Sequence, residues 1–326
     1  KENLSKNYGF RKGLKMAEQL EEFLPQYTIN PQTNIKRVVL KVIDLARQIA
    51  FYEQVVGLEL LSSTESYAYL GVKEDSKVLL ELRKTAEKLQ PAKSTGLFHI
   101  AFLVPSREAF ATKFFEILRN KQTVDSPQEQ ETRFPHFERI IPIAKLDSAS
   151  DHGYSEAFYL SDVEGNGIEI YADRPKEEWN QHPQGSNPLN FKELAEIAQF
   201  ESDGKLPQGT TVGHVHLRVD NLKETLSFYN QVLGFESQLV LDDAFFVSAG
   251  GYHHHIAGNT WSGTNIAHPI AIHSGLQEVQ FQLPSKAAYY KMKNHVKQFI
   301  QMQDLETYFA VNDPSGNRLV FFADNL

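Results

Sequence analysis

The sequence repeats itself, and that repetition restricts the fold more than any other feature. Val42-Ile43-Asp44-Leu45 leads into Phe51-Tyr52 and Val55-Val56-Gly57-Leu58, and Val219-Asp220-Asn221-Leu222 leads into Phe228-Tyr229 and Val232-Leu233-Gly234-Phe235. Each stretch reads as an apolar strand, a polar turn, an amphipathic helix and a glycine stop, with Phe51 and Phe228 on the buried helix face. A second pair also matches. Gly96-Leu97-Phe98-His99-Ile100 ends at Val104-Pro105-Ser106, and Gly275-Leu276-Gln277-Glu278-Val279 ends at Leu283-Pro284-Ser285. Each is a strand followed by a Pro-Ser helix start. Two closing stretches, Asp162 to Tyr171 and Asp313 to Phe322, read as hairpin turns that feed a final strand.

The repeats predict an α+β chain of four βαβββ units in two pairs. The stretch from Arg174 to Gly209 is rich in Pro, Gly, Asn and Gln and marks a linker, with a short helix expected from Leu189 to Phe200. The expected organisation is an extension over 1–33, a domain of units one and two over 34–174, a linker over 175–208, and a domain of units three and four over 209–326. Met16 is a candidate start, and residues 1–15 are set aside from the fold. The insertion from Lys121 to Lys145 reads as a lid or an exposed loop.

Composition removes several function classes. The net charge of −8, with no basic patch, disfavours nucleic acid as a partner. The absence of cysteine excludes disulfides and thiolate metal sites, and fits a reducing cytoplasm. No apolar run is long enough to span a membrane, and the first residues lack the apolar stretch of a signal peptide. A hydrophobic content of 41% lets each half bury a core.

Four βαβββ units with these turns resemble the vicinal-oxygen-chelate (glyoxalase, bleomycin resistance, extradiol dioxygenase) superfamily, over nearly everything from Asn34 to Asp324. Three stretches, Ser155 to Asp162, Gly165 to Pro175 and Gly250 to His255, are similar to the bacterial catechol-2,3-dioxygenase type of two-module protein. The resemblance implies two domains of open, cupped sheets whose first and last strands carry metal ligands. It also implies Fe(II), with Mn(II) as the other candidate, and a small aromatic substrate of the catechol or hydroquinone kind together with O2. A homo-oligomer is compatible with it.

Superposing the units asks which of them kept ligands. First strands place Arg37, His99, His214 and Glu278 at one position; last strands place Glu81, Glu169, a residue near Ala257, and Val320 at another. In the resembling family one unit supplies His and its partner supplies His and Glu. Only units two and three complete such a set, with His99, Glu169 and His214, the two-histidine, one-carboxylate set of non-haem iron oxygenases. Unit two is therefore expected to face unit three, leaving units one and four with a degenerate cup. His216 competes with His214 from the same strand face, and a lone strand histidine such as His99 is more often a hydrogen-bonded core residue than a ligand. Glu169 sits between Ile168 and Ile170, so alternation aims its carboxylate away from them and toward a partner.

The resembling dioxygenases carry an acid–base histidine on the strand that holds His253-His254-His255. Alternation assigns that role to His255, with His253 nearby and His254 the choice if the register slips. Tyr159, ten residues before Glu169, has a spacing that resembles that of the tyrosine beside the metal in extradiol enzymes, and equally suits a core aromatic. His152, in a polar loop, borders the substrate or is simply a surface histidine. Asp162 and Asn166 read as turn formers. Two other readings stay open: a glyoxalase-like isomerase or thiol transferase, which needs a fourth protein ligand where Ala257 stands, and a small-molecule binding protein without catalysis.

Overall fold

The computed structural model describes residues 25–122 and 146–323; residues 1–15 and most of the Lys121–Lys145 insertion lie outside the described residues. Unit one comprises β1 (Asn34–Val42), the helix Leu45–Phe51, β2 (Glu59–Ser63), β3 (Tyr67–Val72) and β4 (Lys77–Lys84). Unit two comprises β5 (Gly96–Leu103), the helix Arg107–Gln122, β6 (Leu146–Asp151), β7 (Ser155–Ser161) and β8 (Gly167–Asp173). Unit three runs through β9 (Thr211–Arg218), the helix Leu222–Ser227, β10 (Glu236–Val240), β11 (Ala244–Ser248) and β12 (Ile256–Asn259). Unit four runs through β13 (Gly275–Leu283), the helix Lys286–Val296, β14 (Gln303–Asp304), β15 (Tyr308–Asn312) and β16 (Arg318–Ala323). The fold is α+β, with four βαβββ units as the repeats predict. In the linker, the expected helix is shorter than the sequence suggests, Phe191–Ile197.

Local chemistry explains the starts of the helices. Asp44 and Asn221 accept from the backbone N–H groups of Arg47 and Glu224, and Ser106 and Ser285 do the same for Ala109 and Ala288. In units one and three the helix widens into a π-helical turn, Tyr52–Val56 and Phe228–Val232. The repetition thus extends to an irregularity of the backbone.

The strands form two mixed eight-stranded sheets, in the orders β14-β15-β16-β13-β1-β4-β3-β2 and β10-β11-β12-β9-β5-β8-β7-β6. Unit one therefore joins unit four, and unit two joins unit three, through the antiparallel pairs β1–β13 and β5–β9. Division at the linker, into 34–174 and 209–326, does not coincide with division into sheets. One apolar core continues across both sheets and includes Ile100, Phe102, Ile168, Ile170, Val215 and Leu217. Alternation sends the intervening residues of β5, β8 and β9 to the opposite, cupped face. No helix among the described residues is long and apolar enough to cross a membrane.

Candidate metal centre

Register explains why three side chains meet. In the β5–β9 pair, His99 lies opposite His216 and Ala101 opposite His214; in the parallel β5–β8 pair, Ala101 lies opposite Glu169. His99, Glu169 and His214 thus surround one point on the cupped face. One ligand atom from each lies within 4.8 Å of the others. Glu169 Oε2 is 3.0 Å from His99 Nε2 and 3.0 Å from His214 Nε2. All three side chains are buried. Two glycines make room for this packing. A Cβ on Gly167 would come within 2.1 Å of the Phe98 carbonyl oxygen, and one on Gly213 within 1.8 Å of the Tyr171 hydroxyl that packs beside His214.

The donor set fits a divalent cation. His214 Nε2 has hydrogen-bond geometry to Glu169, whereas His99 Nε2, at the same distance, lacks it and is a buried nitrogen with no hydrogen-bond partner. Metal–ligand bonds of about 2.1 Å separate neighbouring octahedral ligands by roughly 3 Å, which is the spacing found between Glu169 and each histidine. Burial is the largest influence on His214 and lowers its pKa to about 4, so the ring is neutral at pH 7. Burial opposes ionisation of Glu169, but His214 and His99 outweigh it and hold the carboxyl well below its usual range. A neutral His214 still donates through Nε2–H, so the two states coexist. Ionised carboxylate and neutral imidazole are the forms that bind metal. His216 is also neutralised by burial, and its Nε2 accepts from Asn259 Nδ2 at 2.9 Å, which occupies that nitrogen.

The centre opens into a cavity of about 580 Å³ that is lined by His152, Tyr154, Tyr159, His216, His254 and Trp261 among others. Tyr159 lies opposite Glu169 across the β7–β8 ladder, and its hydroxyl is 2.8 Å from His152 Nε2. His152 Nδ1 is 2.8 Å from the Gly185 carbonyl. The carbonyl can only accept, so Nδ1 carries the hydrogen and a neutral ring accepts the Tyr159 proton at Nε2. Burial, reinforced by the Glu169 charge, raises the Tyr159 pKa well above its ordinary value and keeps it a hydroxyl donor.

The three consecutive histidines are placed differently from the strand alternation expected. His255 does not face this cavity. Its Nδ1 accepts from the Ala249 N–H at 3.1 Å, and its ring lines a separate cleft beside Pro31 and Lys176. The physical reason is a turn. Gly250 and Gly251 both take left-handed φ, +64° and +66°, and extended strand begins only at Ile256. Two-residue alternation therefore does not reach back through the histidines. His254 lies against the centre instead, its ring 4.1 Å from that of His214. His253 lies behind it, with Nδ1 2.8 Å from His254 Nδ1 and Nε2 2.9 Å from Asp173 Oδ1. Tyr154, Arg218 and Trp261 also line the cavity, although no motif in the sequence marks them. Arg218 was within reach of the alternation that singled out His214 and His216.

The chain matches the Glyoxalase/Bleomycin resistance protein/Dioxygenase superfamily over residues 34–137 and 211–321. It is 34% identical to a Bacillus subtilis (strain 168) protein named catechol-2,3-dioxygenase, over 90% of this chain and 99% of that one. A solved structure from Bacillus subtilis, provisionally named a dioxygenase, superposes with a TM-score of 0.55 at 12% identity, covering 92% of this chain and 87% of the other. A glyoxalase I variant from Zea mays superposes with a TM-score of 0.50 at 15% identity, covering 90% and 92%. At these identities both structures support the fold alone.

Proposed function

Because the chain belongs to the Glyoxalase/Bleomycin resistance protein/Dioxygenase superfamily, we propose that it is an extradiol-type dioxygenase that opens catechol-like rings with O2, using Fe(II) held by His99, Glu169 and His214. The observation that carries this reading is the convergence of two imidazoles and one carboxylate on a single buried point beside a cavity. When bound, the metal would supply open coordination positions for two vicinal substrate oxygens and O2, and a path for electrons from the substrate to O2.

The protein's own groups supply placement and proton control. Asp173 is an acceptor, so His253 Nε2 carries the hydrogen and its Nδ1 accepts from His254 Nδ1–H. That leaves a lone pair on His254 Nε2, and burial keeps the ring neutral. His254 is in place to take a proton from a substrate hydroxyl and return it when the ring opens, the role first expected of His255. Tyr159 and His152 fix one another at the opposite wall and border the substrate. The glyoxalase-like reading would need a fourth ligand where Ala257 stands. Ala257 pairs with His216 as Glu169 pairs with Ala101, and a methyl group cannot ligate a metal.

Elemental analysis and turnover test the proposal together. Protein purified anaerobically with Fe(II) is expected to hold one iron per chain and to convert catechol and O2 into a yellow ring-fission product. Glu169→Ala is expected to lose both the metal and at least about a hundredfold in activity. Full activity in that variant, or in metal-free protein, would remove the oxygenase assignment.

A further inference from the structure

We propose that Arg218 makes this cavity selective for substrates that carry a carboxylate on the side of the ring remote from the metal. The inference rests on the cavity beside His99, Glu169 and His214 being the substrate site.

Arg218 lines that cavity and follows His214 and His216 on the same face of β9. Its guanidinium has little to bind. Nη1 donates to the Ala92 carbonyl at 3.3 Å, and Nε is buried with no hydrogen-bond partner. No carboxylate among the described residues lies within ion-pair distance of it. The other cup shows what this protein does with such a group elsewhere. There Arg37, Arg83 and Arg318 each meet Glu81 or Glu278 within 4.0 Å. Arg107 and Arg174 are likewise paired, with Glu156 and Asp151. A partly buried guanidinium that meets one carbonyl and no counter-charge, with its Nε left unpaired, is costly in a folded protein. An anionic ligand that supplies the acceptor removes that cost.

Geometry restricts where the anion sits. Four residues of strand place the Arg218 Cα roughly 13 Å from that of His214. A ring chelated at the metal end lies along this interval, and a short acidic side chain on it meets the extended arginine. Phe98 and Trp261 border the interval, their rings 5.3 Å apart, and both remain exposed, 37% and 53%. They offer apolar faces to the ring and its linker. The guanidinium edge matches a carboxylate in a two-bond fork. Two carboxylates already line the cavity. Glu169 is engaged by the histidines, and Asp147, on the edge strand β6, accepts from the Ser161 hydroxyl.

The test compares 3-(3,4-dihydroxyphenyl)propionate with its neutral methyl ester, binding to the full chain loaded with metal and kept free of O2. Quenching of tryptophan fluorescence reports binding, since Trp261 lines the site. The acid is expected to bind about tenfold or more tightly than the ester, with the preference shrinking as salt is added. Arg218→Met should bring the ratio near one, and Arg218→Lys should leave an intermediate ratio. Equal binding of acid and ester to the unaltered protein overturns the proposal. So does a preference that persists in an Arg218→Met protein with a normal unfolding transition. Ring opening is measured separately on admitting O2. A preference for the acid without ring opening would sink the oxygenase reading and leave the anion subsite standing; ring opening without the preference would do the reverse.

Discussion

His254 and His255 are neighbours along the chain and face different cavities. Alanine at 254 is expected to retain the metal yet lower kcat by about a hundredfold. Alanine at 255 should change kcat by no more than about twofold and cost about 1 kcal/mol of stability, through the lost bond to Ala249 N–H. Steady-state rates, metal content and urea midpoints of the two variants separate these outcomes. The contrast also marks how far the sequence was readable at this scale. His99, Glu169 and His214 could be singled out because they lie in regular strands, where alternation is strict and repeated units superpose. The histidine run could not be oriented, because Gly250 and Gly251 turn the backbone just before it.

Among the elements, the Asp-x-x-x-Asn turns do more than reverse the chain. Asp162 accepts from the N–H and the side-chain amide of Asn166 and from the Tyr52 hydroxyl at 3.1 Å; Asp313 accepts equivalently from Asn317 and from Tyr229 at 3.2 Å. Tyr52 and Tyr229 come from the π-helical turns of units one and three, so each buried pair ties a unit in one sheet to a unit in the other. The turns were legible from Asp, Gly and Asn. The tyrosine clasp was not, since it joins residues 110 and 84 positions apart. Tyr229→Phe should destabilise the protein by about 1–3 kcal/mol, read from denaturant midpoints, because Asp313 loses a donor inside the core. Burial already raises the Asp313 pKa to about 6. Losing the phenol should raise it further, so the variant's deficit should widen as pH rises above 6. In the other cup, Arg37 and Glu278 hold the positions of His99 and His214, and Glu81 that of Glu169, joined by ion pairs with Arg83 and Arg318.

For the molecule as a whole, buried imidazoles set the acid limit. His214 and His255 are lowered to about 4, mainly by burial, and His216 and His254 lie well below 6.5 for the same reason. Between pH 6.5 and 4 the unfolded chain binds protons that the folded chain refuses. Their contribution is complete above pH 6.5 and is lost on acidification, at up to about 1.4 kcal/mol per pH unit for each ring. Asp313, raised toward 6, and Asp162 and Glu164, also raised by burial, contribute in the opposite sense, so three carboxyls oppose the four rings and the depressed Glu169. Urea midpoints of metal-free protein at pH 7.5, 6.5 and 5.5 should fall in that order; a flat series would contradict the burial of these rings. The pairing of units two and three was legible once the family resemblance supplied the ligand pattern, since no other pair of units completes such a set. Fragments 34–174 and 209–326 produced separately should each lack stable tertiary structure, because β1, β5, β9 and β13 would each lose a partner strand. Mixing them should restore circular dichroism and metal binding together.

The β1–β13 pairing bears on how the polypeptide is made. Asn34 aligns with Gln282, so a strand translated near the beginning waits for one translated near the end. Until the ribosome has delivered β13, a central strand of that sheet exposes a vacant hydrogen-bonding edge to everything else in the cell. Emergence of the last unit, rather than completion of the first, therefore sets the moment at which the nascent chain becomes safe from self-association.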